Sequence, residues 1–279
     1  MSNANESESE QATGGADDEA LISWVQSDDP VDAETVFEQL EGLWRGYYGS
    51  MGPVSRVHEG EHPGEVLEVT LFAFGLMASI MRTIRAQMIL VHEGYTVESR
   101  AMFRSVIDQA MALTELERSR VFAVHAYGRT HAENLRRLRD SASRGFALGD
   151  VNEDYIERFL DLAQSQPPSR DVDRALNAIK TGIVGREGRF EALLYQVWLE
   201  ATPLSKPSMR LTDAYAQAEV GEGGVRMHAF IDSDPDSVVD PRLILAAMLP
   251  PVFKTYARIM RDDELGSQID ALDPTRGGR

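Results

Sequence analysis

The chain has 279 residues, of which 43% are hydrophobic, and a formal net charge of -17. Because it contains no cysteine, disulfides, thiolate metal sites and cysteine nucleophiles are excluded. A strongly acidic chain is repelled by nucleic acid and by anionic membranes, so only a local basic patch would bind them.

The first 32 residues predict a disordered acidic tail. They carry nine acidic residues, no lysine and no arginine, and few large apolar side chains that could offset the entropy of folding. They also lack the basic and apolar regions of a secretory signal, so we expect a cytoplasmic protein. Residues 33–264 are expected to form a single domain, and residues 265–279 a flexible C-terminal tail.

The centre of the chain predicts two long adjacent helices. The first, over residues 65–93, contains an uncharged run at 69–81 and ends at Gly94, a residue suited to the left-handed conformation after a helix. Thr96 can cap the second, over residues 96–117, and a short connection makes the two antiparallel. The run is shorter than the ~20 apolar residues of a bilayer span, so we expect a helix buried nearly all round, with no membrane partner.

The second helix of this hairpin carries Arg104 and Asp108 one turn apart among apolar neighbours. A partly desolvated charged pair is costly unless it is satisfied, so the pair either fixes helix packing or belongs to a binding or catalytic site. Glu98 and Arg100 lie earlier on the same helix.

Residues 119–143 predict a helix with two contrasting faces. The apolar face is expected to consist of Val124, Tyr127, His131, Leu135 and Leu138. The opposite face carries Arg118, His125, Arg129, Arg136 and Arg139. This Arg-rich face can bind phosphate, RNA or an acidic protein segment, or it can be a solvated face that forms ion pairs along the helix.

The remaining segments complete an all-α fold class. Further helices are predicted over residues 32–48, 152–164, 169–182, 186–200 and 243–260, the last kinked or broken at Pro250 and Pro251. The irregular segment before the last helix allows a short helix at 211–218 and one strand at 225–231. We therefore predict a single irregular bundle of about seven to nine helices around a buried antiparallel hairpin.

The sequence HEGEH, from His58 to His62, matches the HExxH pattern in which two histidines one helical turn apart hold Zn²⁺. Those ligands require a continuous helix. Gly60 weakens a helix and Pro63 moves His62 out of the helical region, so a loop is favoured and no metal or other cofactor is predicted.

Arg118 or Arg120 followed by His125 matches the permissive Arg-x(4–6)-His spacing of HEPN ribonucleases, which are metal-independent helical enzymes of toxin and phage-defence systems. Such spacings also arise by chance in an arginine-rich chain. On a straight helix Arg118 shares a stripe with His125, so these two residues are the catalytic candidates of this hypothesis.

The segment GYTVESRAMFRSVIDQAMAL, residues 94–113, resembles the central helix of the bacterial domain of unknown function 5677 family. The residues that fit the family's pattern are Glu98, Arg100, Arg104 and Ser105. Asp108 stands where the family usually has Glu. The resemblance gives added weight to Arg104 and Asp108 as a site or a structural pair.

A second, weaker match to the same family covers residues 190–211. Tyr195 and Ser205 fit, whereas Lys206 or Pro207 stands where the family usually has His. The resemblance as a whole implies a helical fold and no settled activity.

Together these features predict a binding or regulatory module that acts through the Arg-rich face or through Arg104 and Asp108. The expected partner is nucleic acid or an acidic protein segment, and a homodimer is a further option. A HEPN-like ribonuclease and a zinc hydrolase are the two alternatives, so the sequence leaves open whether the protein is an enzyme.

Overall fold

The computed structural model describes residues 30–49, 57–144, 189–206, 216–221, 224–229 and 241–272, together with Asp154 and Glu157. This part of the chain forms seven α-helices and one β-hairpin, and its buried hydrophobic core residues all lie on helices. The predicted all-α bundle is therefore confirmed. The segment before Pro30 lies outside the described residues, and so do the helices predicted at 152–164 and 169–182 apart from the two single positions.

The helices, in chain order, are α1 Pro30–Gly49, α2 Pro63–His92, α3 Thr96–Ser119, α4 Val121–Ser143, α5 Arg189–Leu204, α6 Pro241–Met260 and α7 Asp263–Ala271. The hairpin pairs β1 Ala216–Gly221 with β2 Gly224–Ala229 in antiparallel register. The predicted strand at 225–231 is thus present. The helix predicted at 211–218 is wrong where the structure describes it, because residues 216–218 belong to β1.

α2 and α3 form the predicted antiparallel hairpin. Gly94 connects them with a φ of 85°, which favours glycine, and the amide of Tyr95 donates to a carbonyl in the last turn of α2 (2.8 Å). The buried Gln87 of α2 donates to the carbonyl of Ser99 on α3 (2.9 Å), which fixes the register of the two helices. Thr96 is already helical and Tyr95 occupies the N-cap without a side-chain hydrogen bond, so the predicted Thr96 cap is wrong.

α3 lies at the centre of the bundle, where it contacts α2, α4, α5 and α6. Ile107 of α3 shares one core with fully buried side chains of four other helices, among them Leu40, Met77, Leu194 and Phe253. Burying an apolar side chain of this size stabilises the fold by about 1.5–3 kcal/mol. The core therefore holds α3 on several sides and fixes the direction of its polar residues.

One face of α2 is exposed, so the prediction that this helix is buried nearly all round is wrong. Leu67, Leu71 and Ile89 are 58%, 60% and 58% exposed. An apolar run in a sequence does not show which neighbouring helices will cover it. Here α3, α4 and α6 cover the other faces of α2 and leave this one exposed. α2 and α6 are both apolar and long enough to cross a membrane by length and composition alone, and α6 is mostly buried in the bundle.

The sequence predicts a kink or a break at Pro250 and Pro251; α6 continues through both prolines, so a break does not occur. Each proline removes one backbone N–H donor from the helix. Leu249, Val252 and Phe253 are buried around the two prolines, and tertiary packing of this kind stabilises a helix more than its intrinsic propensity does.

α7 lies where a flexible tail was predicted from residue 265, so that prediction is wrong for residues 265–271. Asp262 accepts a hydrogen bond from the backbone amide of Leu265 (2.9 Å), which is the geometry of a helix N-cap. Leu265 and Ile269, one turn apart, are buried against the bundle.

A single residue, Arg120, connects α3 to α4. Its φ of 49° and ψ of -126° are rarely adopted by a residue that carries a side chain. The Arg120 guanidinium donates to the carbonyl of Ile259 at the end of α6 (3.3 Å), which anchors the turn. The fourth helix therefore begins at Val121, and Ser119 belongs to α3 instead of starting α4 as predicted.

Candidate anion-binding site

A row of polar side chains runs along one side of α3. Arg104, Asp108, Glu115 and Ser119 recur at intervals of four or seven residues, which places them on one side of a helix. α5 packs against α3 near the start of this row, and α4 packs against α3 further along. Three helices therefore supply side chains to the same polar surface.

Arg104, Asp108 and Trp198 form one contact group, which we call the Arg104 site. The guanidinium carbon of Arg104 lies 5.2 Å from the centre of the Trp198 ring, a cation–π distance. The indole Nε1 of Trp198 donates to Oδ1 of Asp108 (3.1 Å). Nε of Arg104 lies 4.0 Å from Oδ2 of Asp108. The predicted pair thus exists as a loose ion pair, and Trp198 contacts both of its members.

The two charges of the Arg104 site differ in exposure. The side chain of Arg104 is 26% exposed and that of Asp108 is 56% exposed. Nη1 of Arg104 is buried and donates no hydrogen bond within the described part of the chain. A buried donor without an acceptor costs about 1–3 kcal/mol, so the hydrogen-bonding capacity of Nη1 is unused among the described residues.

Glu115 continues the polar row as a buried carboxylate. The hydroxyl of Ser119 donates to Oε1 of Glu115, and Nη1 of Arg118 lies 3.6 Å from Oε2. Tyr127 of α4 lies within electrostatic range of Glu115 and Asp108. Burial raises the pKa of Tyr127 and these two negative charges raise it further, so the phenol keeps its proton and can donate a hydrogen bond.

Trp198 is the residue of this site that the sequence reasoning missed. Leu194, Val197 and Ala201 form the buried stripe of α5, and Trp198 stands at its edge. A tryptophan next to a buried apolar stripe usually packs in the hydrophobic core, so its position in the sequence does not indicate a binding site. Its contact with Arg104 depends on how α5 docks against α3, which no local pattern contains.

The candidate catalytic pair of the ribonuclease hypothesis is divided between two helices. Arg118 lies on α3 before the Arg120 turn and contacts Glu115. His125 lies on α4, where its Nε2 is 3.3 Å from Oε2 of Glu68 on α2. The stripe that Arg118 and His125 would share on one straight helix does not exist, because the helix is interrupted between them.

The HEGEH segment is a loop, as predicted. Residues 57–62 are not helical, Gly60 has a φ of 88°, and α2 begins at Pro63. In the part of the chain that the structure describes, no group of three or more metal-ligating side chains forms. His58 and His62 therefore do not adopt the helical spacing that an HExxH zinc site needs.

Glu61 of this loop has a structural contact instead. Both of its carboxylate oxygens accept from Arg261, one of them at 2.7 Å, and Oε2 also accepts from the backbone amide of His58 (2.8 Å). These hydrogen bonds lower the pKa of Glu61 to about 2. The ion pair joins the loop before α2 to the turn between α6 and α7.

The Arg-rich face of α4 is only partly solvated. Arg129, Arg136 and Arg139 are half-buried, and Arg129 and Arg136 interact with other groups of the chain. The five residues predicted on this face do not share one surface, because Arg118 lies on α3 and His125 faces α2.

The predicted apolar face of α4 is partly wrong. His131 and Leu138 are exposed, whereas Ala123, Ala126 and Ala132 are buried. Alanine gives a weak hydrophobic signal, but its small side chain lets neighbouring backbones approach closely.

Glu98 and Arg100 lie in the first turns of α3, away from the Asp108 end of the Arg104 site. Glu98 is exposed, and Arg100 is 3% exposed. Both interact with other groups of the chain. The burial of Arg100 indicates a structural role at the start of α3.

Comparison with protein-family models, with curated proteins and with solved structures finds no match to this chain. The resemblance to the domain of unknown function 5677 family stays a prediction.

Proposed function

We propose that this chain is a binding module that holds a carboxylate or phosphate group of its ligand at Arg104. One observation carries the proposal. The Arg104 guanidinium is stacked on Trp198, has a buried Nη1 without an acceptor among the described residues, and faces only a loosely held carboxylate.

The stack on Trp198 prepares Arg104 for an anion. A cation–π contact restricts the plane of the guanidinium, and because the side chain is 26% exposed an oxyanion can approach N–H donors other than the buried Nη1. Oxyanions bind a guanidinium edge through two parallel hydrogen bonds, and less conformational entropy is lost when the side chain is already held. Tyr127, whose phenol is protonated, is a further donor on the same side of α3.

The carboxylate of Asp108 would compete with a ligand anion for the guanidinium of Arg104. It is more than half exposed and lies 4.0 Å from Nε of Arg104, a geometry in which a surface ion pair contributes about 0–1 kcal/mol. A ligand oxyanion that forms two short hydrogen bonds to Arg104 would therefore displace it at little cost. Trp198 would retain Asp108 nearby through its indole N–H.

The proposal is tested by titrating the full chain with inorganic phosphate and with citrate, using calorimetry or amide chemical shifts. Arg104→Gln should abolish binding because it removes the charge and the forked donors. Asp108→Asn should tighten binding about fivefold, because it removes a competing interaction of about 1 kcal/mol without changing the side-chain shape.

Arg45→Gln is the matched control, because Arg45 is an exposed arginine of α1 that pairs with Glu41. It should bind both anions as the wild type does. If Arg104→Gln lowers the melting temperature while neither anion binds the wild type, the Arg104 site is a structural contact and the proposal fails.

A second candidate function is binding of RNA or of an acidic segment through α4. It is favoured by charge, because α4 carries four arginines against Glu133 and Asp140 in a strongly acidic chain. Salt-dependent RNA binding that Arg129→Ala combined with Arg136→Ala removes, and that Arg45→Ala leaves intact, would support it. No RNA binding at low salt would eliminate the nucleic-acid version.

A further inference from the structure

The exposed face of α2 carries an ordered series of side chains. Glu68, Leu71, Gly75, Arg82 and Ile89 lie on this face, with Leu67 beside them. Their spacing of three, four or seven residues follows the helical repeat, so they form one continuous stripe. We call this set the α2 stripe.

Charges in the α2 stripe are sorted along its length. Glu68 lies in the N-terminal part of the helix, and Arg82 lies in its C-terminal half. No charged residue lies between Glu68 and Arg82. The stripe is therefore acidic at one end, uncharged in the middle and basic at the other end.

We propose that the α2 stripe is a homodimer interface in which two copies pair antiparallel about a two-fold axis at Gly75. When two copies of such a surface face each other with their helices antiparallel, the acidic end of each copy lies against the basic end of the other. An isologous interface of this kind repeats every contact twice.

The sequence spacing fits this arrangement in detail. With the axis at Gly75, Glu68 lies seven residues before the axis and Arg82 seven residues after it, so Glu68 faces Arg82 of the partner subunit. Leu71 lies opposite Ser79 of the partner subunit. Two symmetry-related ion pairs would therefore flank an uncharged centre.

Gly75 allows the two backbones to approach. A Cβ atom added at Gly75 would meet nothing within 4 Å, so the space in front of this position is open. A glycine in the middle of a helix costs about 0.5–1 kcal/mol relative to alanine, and here the protomer's own packing does not require it. Close contact with a second helix is a reason for glycine at this point.

The neighbouring helix α4 widens the apolar surface. Phe122 of α4 is 59% exposed. It lies one turn before His125, which contacts Glu68 of the stripe, and the ring of Phe72 on α2 lies 5.3 Å from that of Tyr127 on α4. Phe122 is therefore close to the N-terminal half of the stripe and can contact the partner subunit.

The charges favour a second copy over a lipid surface. The uncharged part between Glu68 and Arg82 spans about 20 Å at 1.5 Å per residue, whereas the hydrocarbon core of a bilayer is about 30 Å thick. A lipid-facing stripe would bring an arginine or a glutamate into hydrocarbon, but an antiparallel dimer pairs each charge with its opposite.

The size of the stripe predicts a weak dimer. From Glu68 to Ile89 the stripe is about 32 Å long and one helix wide, which gives less than the about 800 Å² per partner of a standard interface. We therefore expect association in the micromolar range.

Sedimentation equilibrium of the full chain tests the proposal through charge reversal. Glu68→Arg and Arg82→Glu should each be monomeric, because like charges then face each other across the axis. An equimolar mixture of the two variants should form a heterodimer, and the double variant should form a homodimer again. Arg82 makes no ion pair within the described part of the chain, so Arg82→Glu breaks no such contact in the protomer.

Leu138→Ser is the matched control, because Leu138 is an exposed apolar residue of α4 outside the stripe, and it should dimerise as the wild type does. A wild type that stays monomeric at high micromolar concentration overturns the proposal. So does a dimer that both charge reversals leave intact. Cosedimentation of a monomeric wild type with neutral phospholipid vesicles, lost in Leu71→Ser, would assign the stripe to lipid instead.

Discussion

Glu61 shows how a residue inside a catalytic motif can have a structural role. Its position in HEGEH matches part of a zinc hydrolase pattern, but the structure binds its carboxylate to Arg261. Gly60 and Pro63 already predicted that this segment is not helical, and that part of the reasoning is confirmed. The partner of Glu61 lies at the other end of the domain sequence, so no local pattern could identify it.

The pH dependence of stability tests this role. The pKa of Glu61 is lowered from 4.5 to about 2, so between these values the unfolded chain binds more protons than the folded one. The stabilising contribution is therefore complete above pH 4.5 and is lost as the pH falls towards 2. We expect Glu61→Gln to melt below the wild type at neutral pH, with the difference narrowing on acidification, as measured by circular dichroism. Glu59→Gln, in the same loop, should show no such narrowing, and a pH-independent difference for Glu61→Gln would contradict the assignment.

α2 shows what can be predicted for a single helix and what cannot. Its length and its end at Gly94 follow from the uncharged run and the left-handed glycine, both of which are local signals. Its exposed side does not follow from them, because Leu67 and Leu71 have the same composition whether or not a neighbour covers them. The break at Arg120 was missed for a related reason, since neither glycine nor proline marks it.

Two glycines associated with α2 should respond in opposite ways to alanine. Gly75→Ala should stabilise the protomer by about 0.5–1 kcal/mol, because the position is helical and open. Gly94→Ala should destabilise it by about 1 kcal/mol, because its φ of 85° is unfavourable for a residue with a Cβ. Urea unfolding at low protein concentration measures both changes. Equal effects of the two substitutions would show that the turn at Gly94 does not need its left-handed conformation.

The bundle extends to α7, further than the composition of the C-terminus suggests. Asp262 as N-cap and the buried pair Leu265 and Ile269 are present in the sequence, but the helix is short and the charged segment around it resembles a tail. The Arg104 site was likewise only partly predictable from the sequence. Arg104 and Asp108 follow from spacing on one helix, whereas Trp198 requires knowledge of how α5 docks.

If α7 belongs to the cooperative unit, a change there should affect the whole molecule. Ile269→Ala should lower the free energy of unfolding by about 2–5 kcal/mol, because it removes a fully buried side chain. Gln268→Ala, at the exposed neighbouring position, should change it little. The measurement is urea unfolding followed by tryptophan fluorescence and by circular dichroism. A loss of α7 without any shift of the main transition would place this helix outside the bundle.

The one-residue connection at Arg120 has a geometric consequence for the polar row. The orientation of α4 relative to α3 is set at this junction by the φ and ψ angles of one residue, and the guanidinium of that residue is hydrogen-bonded to the last turn of α6. Arg104 and Asp108 lie on one side of this junction and Tyr127 on the other. The angle between α3 and α4 is therefore fixed by two backbone torsions and one hydrogen bond. A loop with many conformations would not hold the side chains of the two helices in one arrangement.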